Sequence, residues 1–367
     1  MVAWDDSGAL FSDLSAQLRA AGFDEQSAAG LLGAANPDRL IRYGALHALG
    51  TSGQVPALIG TPHGMLTQLF VRNGDVPLAE YRRVLSPALG ELLETLALVS
   101  VRDDTVFPAV SITPYSNQHF LADMRFTCPS ARGHKPVMHA REDFVPPPHA
   151  TSCAILQNVK PRSGRLLDIG TGCGIIGVSL AGHYTATAGI DIEPRAYQFA
   201  TANAHLNGRD MEVHTADFHG DLQSYGTWDH AVFNAPGPFR LHDKSPDVDP
   251  MTAEGVLHSA VDSFLGLLAP SGVVDILVAI AVPKAASGPA EVVDGWLRGH
   301  KEVGGIQITE VGDPMLAVPA SAIQKGKLPP GSLLANNKED IDYLMGYFTR
   351  TGIREVTTVI VSLSSRP

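Results

Sequence analysis

The sequence of 367 residues is poor in cysteine and lacks a long apolar run. Its three cysteines, Cys128, Cys153 and Cys173, are too few for a disulfide framework and lack the spacing of zinc ligands. A reducing cytoplasm is therefore the expected setting. No apolar stretch is long enough to cross a bilayer, and the start "MVAWDDSGALF" carries acids where a secretion signal requires basic residues. We expect no association with a membrane.

Clusters of positive charge are also missing. The formal net charge is -11, and no run of lysine and arginine interrupts it, which argues against nucleic acid as a main partner. The composition of 44% hydrophobic and 18% charged residues is that of an ordinary globular protein, and the length suffices for two domains.

The first third of the chain has helical periodicity. The segments that show it are "LFSDLSAQLRAAGF" (10–23), "DRLIRYGALHALG" (38–50), "TPHGMLTQLFVRNG" (61–74) and "LAEYRRVLSPALGELLETLALV" (78–99). An extended run, "VRDDTVFPAVSITPY" (101–115), and "QHFLADMRF" follow. We predict an N-terminal domain over residues 1–141, mainly helical and winged-helix-like, with a small β-hairpin. It lacks a basic recognition helix, so a DNA-binding regulator is a rival hypothesis only.

A Pro-rich stretch, "EDFVPPPHATS" (142–152), predicts the domain boundary. Beyond it strands alternate with helices, which indicates an α/β domain over residues 142–367 with a seven-stranded, Rossmann-like sheet covered by helices on both faces. The segment 312–337 is long for a connection and predicts a lid or substrate wall, with a plain surface insertion as the alternative.

The first strand of this domain leads into a glycine-rich loop, "DIGTGCG" (168–174). Gly170, Gly172 and Gly174 permit a tight turn and a close approach to a ligand, and the following helix offers N–H groups to an anion. Both a pyrophosphate and an amino-acid carboxylate would suit the glycines and the helix N–H groups. Asp168 argues against the pyrophosphate, because its carboxylate suits a ligand with positive ammonium and sulfonium groups.

Further side chains follow the next strands. Asp191 can accept both hydroxyls of a ribose, and Asp217 can accept from an adenine amino group. Phe218 or Ile192 can cover the face of the adenine. These features together predict S-adenosylmethionine as the cofactor. The histidines form no ligand set that we recognise in the sequence, so we predict no metal.

"DIGTGCG" resembles the first motif of class I S-adenosylmethionine-dependent methyltransferases. "GIDIEPRAYQFATANAHLNG" is similar to the next segment of the branch that includes protein-glutamine and ribosomal-guanine N-methyltransferases. The resemblance implies cofactor contacts from Thr171, Cys173, Asn234, Ala235 and Pro236 in addition to the residues above, and S-adenosylhomocysteine as the product. A structural glycine turn and a nicotinamide enzyme are the alternatives.

The fourth strand end departs from that branch. Relatives carry N/D-P-P-Y/F there, in which the Asn accepts from the target amine and the aromatic ring stacks on a planar substrate. This sequence has "FNAPGPF": Asn234 is kept, Gly237 replaces the aromatic residue, and Phe239 follows two residues later. Loss of the stacking partner argues against N-methylation of a protein glutamine or an RNA base, which remains the alternative.

A carboxylate acceptor needs no catalytic base, because it is deprotonated at neutral pH. The altered motif and the added N-terminal domain resemble, more weakly, the carboxyl methyltransferases of β-lactone natural-product pathways, which esterify a 3-isopropylmalate-like acid. We therefore predict O-methylation of a small organic acid. Asn234 is the predicted catalytic residue, and the predicted substrate contacts are His149, Thr151, Asn234, Phe239 and Arg240.

Positive charge on Arg240 or His149 is expected to set the affinity for this acid. His242, Lys244, Arg125 and Arg141 are further candidate groups, and a histidine can also serve as base for a hydroxyl acceptor. A non-catalytic S-adenosylmethionine-binding regulator is the rival from another class. The sequence leaves the oligomeric state open.

Overall fold

The computed structural model describes residues 4, 7–34, 37, 58–128, 137–139, 141–220, 222–237, 239, 241, 244, 249–327 and 338–366. The helix predicted over 38–50, and Arg240 and His242, lie outside these residues. In the described part of the chain no helix is long and apolar enough to cross a membrane.

The N-terminal region is helical, as predicted. Its helices are α1 (Gly8–Ala20), α2 (Glu25–Leu31), α3 (Pro62–Leu66, continued by a π-helical turn over Thr67–Val71), α4 (Leu78–Val84) and α5 (Pro87–Thr95). The periodic segment 78–99 forms two helices rather than one. Pro87 cannot continue a helix from the preceding turn, and Ser86 caps the second helix by accepting a hydrogen bond from the Leu89 amide at 3.2 Å.

Short strands follow these helices. They are β1 (Val76–Pro77), β2 (Val99–Arg102), β3 (Thr105–Pro108), β4 (Ser111–Tyr115), β5 (Gln118–Ala122), β6 (Phe126–Thr127) and β7 (Val137–Met138). Strands β1, β3 and β2 form one antiparallel sheet, while β4 pairs with β5 and β6 with β7. The predicted single hairpin is therefore three separate antiparallel pieces. Turns at Asp103–Asp104 and Ser116–Asn117, all with positive φ, break the extended run.

The remainder alternates between helix and strand. The elements are α6 (Ala150–Asn158), β8 (Arg165–Ile169), α7 (Ile175–Leu180), β9 (Ala186–Asp191), α8 (Pro194–Leu206), β10 (Glu212–Thr215), β11 (Trp228–Asn234), α9 (Ala253–Phe264), β12 (Leu268–Pro283), α10 (Pro289–Leu297), β13 (Val303–Glu310), α11 (Ala320–Gln324), α12 (Lys338–Thr351) and β14 (Ile353–Ser365).

Seven of these strands form one sheet in the order β10-β9-β8-β11-β12-β14-β13. Strands β8, β9, β11 and β12 are parallel, and β14 runs antiparallel between β12 and β13. The register pairs Ile169 with both Ile190 and Phe233, so β8, β9 and β11 end at the same edge of the sheet. The prediction of a seven-stranded Rossmann-like sheet is confirmed.

The chain divides into two compact units. The first contains residues 1–149, 171–182 and 191–215, and the second contains 150–170, 183–190 and 216–367. In the first unit Trp4 is buried against Phe11 and Phe199, and its indole N–H donates to the Leu96 carbonyl at 3.1 Å. Helix α8, which follows the second strand of the sheet, thus belongs to the same unit as the N-terminal helices.

The second unit has a core of aliphatic and aromatic side chains from β8, β11, β12, β14 and α9. A buried polar chain crosses this core. Nδ1 of His230 lies 2.5 Å from the Tyr184 hydroxyl, and its Nε2 lies 2.8 Å from the Asp275 carboxylate. These contacts satisfy polar groups that would be costly to bury alone.

A second buried amide organises the first unit. Asn203 on α8 is fully buried; its Oδ1 accepts from the Leu121 amide at 2.7 Å, and its Nδ2 donates to the carbonyls of Leu121 at 2.8 Å and Cys173 at 2.7 Å. Asn207, one turn later, makes the same kind of paired bond with the backbone of His119. One helix face therefore holds both strand β5 and the glycine-rich loop.

We expect Asn203→Ala to lower the free energy of unfolding by about 2–4 kcal/mol, because it leaves buried backbone groups of Leu121 and Cys173 without partners. Asn207→Ala, at a partly exposed position, should cost less, about 1 kcal/mol. Urea unfolding followed by circular dichroism measures both. Equal stability of wild type and Asn203→Ala would contradict the assignment.

Candidate functional site

The glycine-rich loop connects β8 to α7. Gly170, Gly172 and Gly174 all have positive φ, at 63°, 55° and 79°. At Gly174 an added Cβ would lie 3.1 Å from the Cα and Cβ of Ala200, so the close approach to α8 requires glycine. At Gly172 it would meet no atom of the described residues within 4 Å. The loop therefore turns tightly and leaves open space on the side of Gly172, which is the fit that a bound cofactor requires.

Asp191 anchors this loop. Its Oδ2 accepts a hydrogen bond from the Gly172 amide at 2.8 Å, and its Oδ1 accepts from the Glu193 amide at 3.0 Å. Asp191 remains partly exposed and the adjacent Ile192 is 61% exposed, although it is a large apolar residue. A carboxylate beside an uncovered apolar side chain suits a ribose and the base attached to it.

Sequence reasoning missed several residues that hold the first unit together. Besides Asn203, Arg195 at the start of α8 forms an ion pair with Asp123 and lies 3.4 Å from Asp143. Asp123 also accepts from the Val145 amide at 2.9 Å. The Arg195–Asp123 pair is largely buried, so removal of either partner would leave an unpaired charge in the first unit. The residue types at these positions give no signal of pairing, because the partners lie far apart in the sequence.

In the second unit the strand ends carry the remaining predicted residues. Asp168 is buried at the end of β8, one residue before Ile169. Asp217 is exposed, and its Oδ1 accepts from the His219 amide at 2.9 Å. The Phe218 ring lies 5.4 Å from that of Phe233 and packs on the core of this unit. Within the second unit, Phe218 is thus partly covered by the core.

Asn234 ends strand β11. Its Nδ2 donates to the Thr151 hydroxyl at 3.1 Å, so the structure brings these two predicted residues together. Oδ1 of Asn234 is buried and has no partner among the described residues. The next residues, Ala235 and Pro236, are half-buried and exposed, respectively. The hydrogen bond to Thr151 thus orients the Asn234 amide, and its Oδ1 is left as an acceptor without a described partner.

Phe239, the candidate stacking residue, packs on helix α12. Its ring lies 6.1 Å from Phe348 on α12, and its backbone forms a bridge to Met251. Lys244 is held by the same helix through ion pairs of 2.9 Å with Glu339 and Asp340. In this arrangement the side chains of Phe239 and Lys244 both contact α12.

His149, at the end of the first unit, is uncharged at neutral pH. Burial lowers its pKa to about 4, and the positive charge of Arg125 acts in the same direction. The expectation that His149 carries a positive charge is therefore wrong, because desolvation disfavours the imidazolium. Arg141 is paired with Asp143 at 2.9 Å, whereas Arg125 is exposed. Arg240 lies outside the described residues, and its predicted role stays a prediction.

Residues 149–277 match the family model of the methyltransferase small domain. No curated protein is similar enough to be matched to the chain. Among solved structures, a precorrin 8W decarboxylase from Methanobacterium thermoautotrophicum is 18% identical over 62% of this chain and 100% of its own, with a TM-score of 0.34.

Two further structures are an rRNA methylase from Streptococcus thermophilus and a ribosomal protein L11 methylase from Lactobacillus delbrueckii subsp. bulgaricus. The first is 13% identical over 59% of this chain and 95% of its own, with a TM-score of 0.32. The second is 15% identical over 57% and 75%, also with a TM-score of 0.32. At these scores the structures carry no argument about function.

Residues 149–277 match the methyltransferase small domain, and the strand order and the glycine-rich loop agree with the predicted class I methyltransferase fold. The cofactor is S-adenosylmethionine, as predicted from the loop. The individual contacts predicted for Asp168, Asp191, Asp217 and Asn234 stay predictions.

We expect Gly172→Val to abolish binding of S-adenosylmethionine in a folded protein. The new side chain enters the open space beside the loop, and its backbone strain is only about 1–2 kcal/mol. Gly208→Val is the matched control, since Gly208 has a similar φ of 59° and equally open surroundings at the end of α8. Isothermal titration measures binding. Wild-type affinity in a folded Gly172→Val variant would show that the loop has only a structural role.

We expect Asp191→Ala to raise the dissociation constant for S-adenosylmethionine about tenfold or more, through loss of charge-assisted bonds worth ~1.5–3 kcal/mol. Asp191→Asn keeps a carbonyl oxygen for the Gly172 amide and separates loop anchoring from ribose binding. Titration with NADH is the specificity control. An NADH affinity equal to that for S-adenosylmethionine would refute the cofactor assignment.

Proposed function

We propose that this protein transfers the methyl group of S-adenosylmethionine to a carboxylate oxygen of a small organic acid, such as an isopropylmalate-like acid in natural-product biosynthesis, and releases S-adenosylhomocysteine. The observation that carries the proposal is the environment of Gly237 and Phe239, two described residues that follow β11. At Gly237, in the place of the aromatic residue, an added Cβ would meet none of the described residues within 4 Å. Phe239 packs on α12 instead.

Such a loop favours a small, non-planar acceptor. A planar amide or base would lack the stacking partner that is worth about 1–3 kcal/mol for nucleobases on aromatic side chains. A small acid needs no stacking surface, because hydrogen bonds and charge can orient it. Among the described residues, the surroundings of Gly237 also leave room for a branched aliphatic group.

In this reaction the main task of the protein is to position the acid against the methyl group. When bound, the cofactor supplies an electrophilic methyl group on a sulfonium, and the carboxylate oxygen forms the new bond while the sulfonium becomes a thioether. No proton is removed, so orientation of the acid supplies most of the acceleration. Exposed Arg125, close enough to lower the pKa of His149, can supply the positive charge expected earlier from that histidine.

Asn234 can also donate to the acid if its amide turns over. Thr151 permits this, because its hydroxyl can either accept from Nδ2 or donate to Oδ1. A half-turn of the amide exchanges the positions of Oδ1 and Nδ2. Asn234 therefore offers the substrate an acceptor in one orientation and a donor in the other.

N-methylation is the second candidate function, and one observation favours it. In the recorded orientation Oδ1 of Asn234 is buried without a described partner. An unbonded buried acceptor costs free energy that an N–H group of an acceptor amine or amide would recover. A protein glutamine or an RNA base would supply such a group.

Asn234→Asp distinguishes the two functions. With a carboxylate acceptor, Asn234→Asp should be as damaging to kcat/KM as Asn234→Ala, because it places like charges together. With an N–H acceptor, Asn234→Asp keeps the accepting oxygen and should keep much of the activity. The binding constant for S-adenosylmethionine, measured for each variant, separates loss of cofactor from loss of transfer.

Assays with labelled S-adenosylmethionine on small acids, peptides and RNA give the substrate class. For a carboxylate we expect a rate nearly flat from about pH 6 to 9 and a product hydrolysed by mild base. A base-stable product, or full activity of Asn234→Asp, would reject O-methylation and leave N-methylation as the function. Binding of S-adenosylmethionine with no transfer to any acceptor class would support a regulator.

A further inference from the structure

Two histidines and two carboxylates meet at the end of α9, away from the glycine-rich loop in the chain. His258 and Asp262 lie one turn apart on this helix, and His300 and Glu302 lie in the turn that leads into β13. Ligand atoms of Asp262, His300 and Glu302 all lie within 4.8 Å of one another. Imidazole nitrogen and carboxylate oxygen are the ligands that zinc and similar divalent metals prefer.

The rings of the two histidines are held in place by hydrogen bonds. Nε2 of His300 lies 2.7 Å from Nδ1 of His258, and Nδ1 of His300 lies 2.8 Å from the Glu302 carboxylate. A carboxylate only accepts, so without metal the proton of neutral His300 is on Nδ1 and donates to Glu302. Its Nε2 then accepts from Nδ1–H of His258.

A metal ion shared by His300 and Glu302 would bind Nδ1 of His300, because that nitrogen faces the carboxylate. The proton then moves to Nε2, which can donate to Nδ1 of His258. His258 in turn takes its proton on Nε2, which lies 3.8 Å from the Glu254 carboxylate. The two rings can therefore exchange tautomers without any change in total charge, and His258 would orient the ligating ring as carboxylates and carbonyls do in known metal sites.

The distances are close to those of a bound ion. Zinc lies roughly 2.0–2.2 Å from nitrogen and oxygen ligands, which in a tetrahedral site places the ligand atoms roughly 3.4 Å from one another. Asp262 and Glu302 are exposed and His300 is partly exposed, so short side-chain rotations can close the remaining gap. Water can supply the fourth ligand at an exposed position.

We propose that Asp262, His300 and Glu302 form a zinc-type divalent metal site, with His258 as a positioning residue, and that the ion joins the end of α9 to the start of β13. This proposal replaces the expectation of no metal, and it does not depend on the identity of the methyl acceptor. The sequence did not reveal it because His300 and Glu302 acquire their partner Asp262 only through folding.

Titration of the full chain with Zn²⁺, after dialysis against a chelator, tests the site. We expect His300→Ala to raise the dissociation constant of one Zn²⁺ about a hundredfold, and Asp262→Asn or Glu302→Gln about tenfold. His258→Ala should weaken binding about tenfold and keep one ion, as an orienting residue would. All four side chains are at least partly exposed, so the fold should tolerate these changes.

His214→Ala is the matched control. His214 lies 3.6 Å from Glu212 and forms a surface histidine–glutamate pair outside the proposed cluster. We expect its Zn²⁺ affinity, and the rise in melting temperature on adding Zn²⁺, to equal those of the wild type, whereas His300→Ala should lose that rise. Mg²⁺ and Ca²⁺ should not compete, because they prefer oxygen ligands.

Three results would overturn the proposal. The first is the absence of Zn²⁺ binding by the wild type. The second is equal Zn²⁺ affinity of wild type and His300→Ala, which would place the ion on other histidines of the chain. The third is full displacement of Zn²⁺ by Ca²⁺ at equal concentration, which would indicate that the two exposed carboxylates bind the ion without the histidine.

Discussion

Burial of one amide on helix α8 is the constraint on which the first unit depends. Asn203 makes three hydrogen bonds to backbone groups, two of them to Leu121 and one to Cys173. An amide is the side-chain group that can both donate and accept in this way without a charge to bury. The strand β5 of the N-terminal region and the glycine-rich loop consequently share one support.

This shared support explains why the N-terminal region and the cofactor loop fall in one compact unit. The sequence suggested a separate domain over residues 1–141, because a Pro-rich stretch commonly marks a boundary. Composition records such a stretch but does not record contacts. The ion pair of Arg195 with Asp123 and the packing of Trp4 on Phe199 join segments that are distant in sequence.

For the residues predicted to bind the methyl acceptor, the sequence and the structure each supply part of the information. The replacement of an aromatic residue by Gly237 is visible in the sequence and argues against planar acceptors. The structure adds that Phe239 does not take its place and that His149 is neutral, because both outcomes depend on what packs around them. It also shows Asn234 paired with Thr151, which leaves an acceptor atom in one orientation and a donor in the other.

The sequence by itself determined the class of the fold and the cofactor loop, because periodicity of two or 3.6 residues and glycines at fixed spacing are local signals. The order of the strands in the sheet came from the structure. The sequence predicted the helix of the segment 10–23 close to its observed bounds, Gly8–Ala20. Only the tertiary structure decided the protonation of His149, the support of the loop by Asn203 and the meeting of Asp262 with His300. Each of these depends on desolvation or on contacts between residues far apart in the chain, which no local pattern encodes.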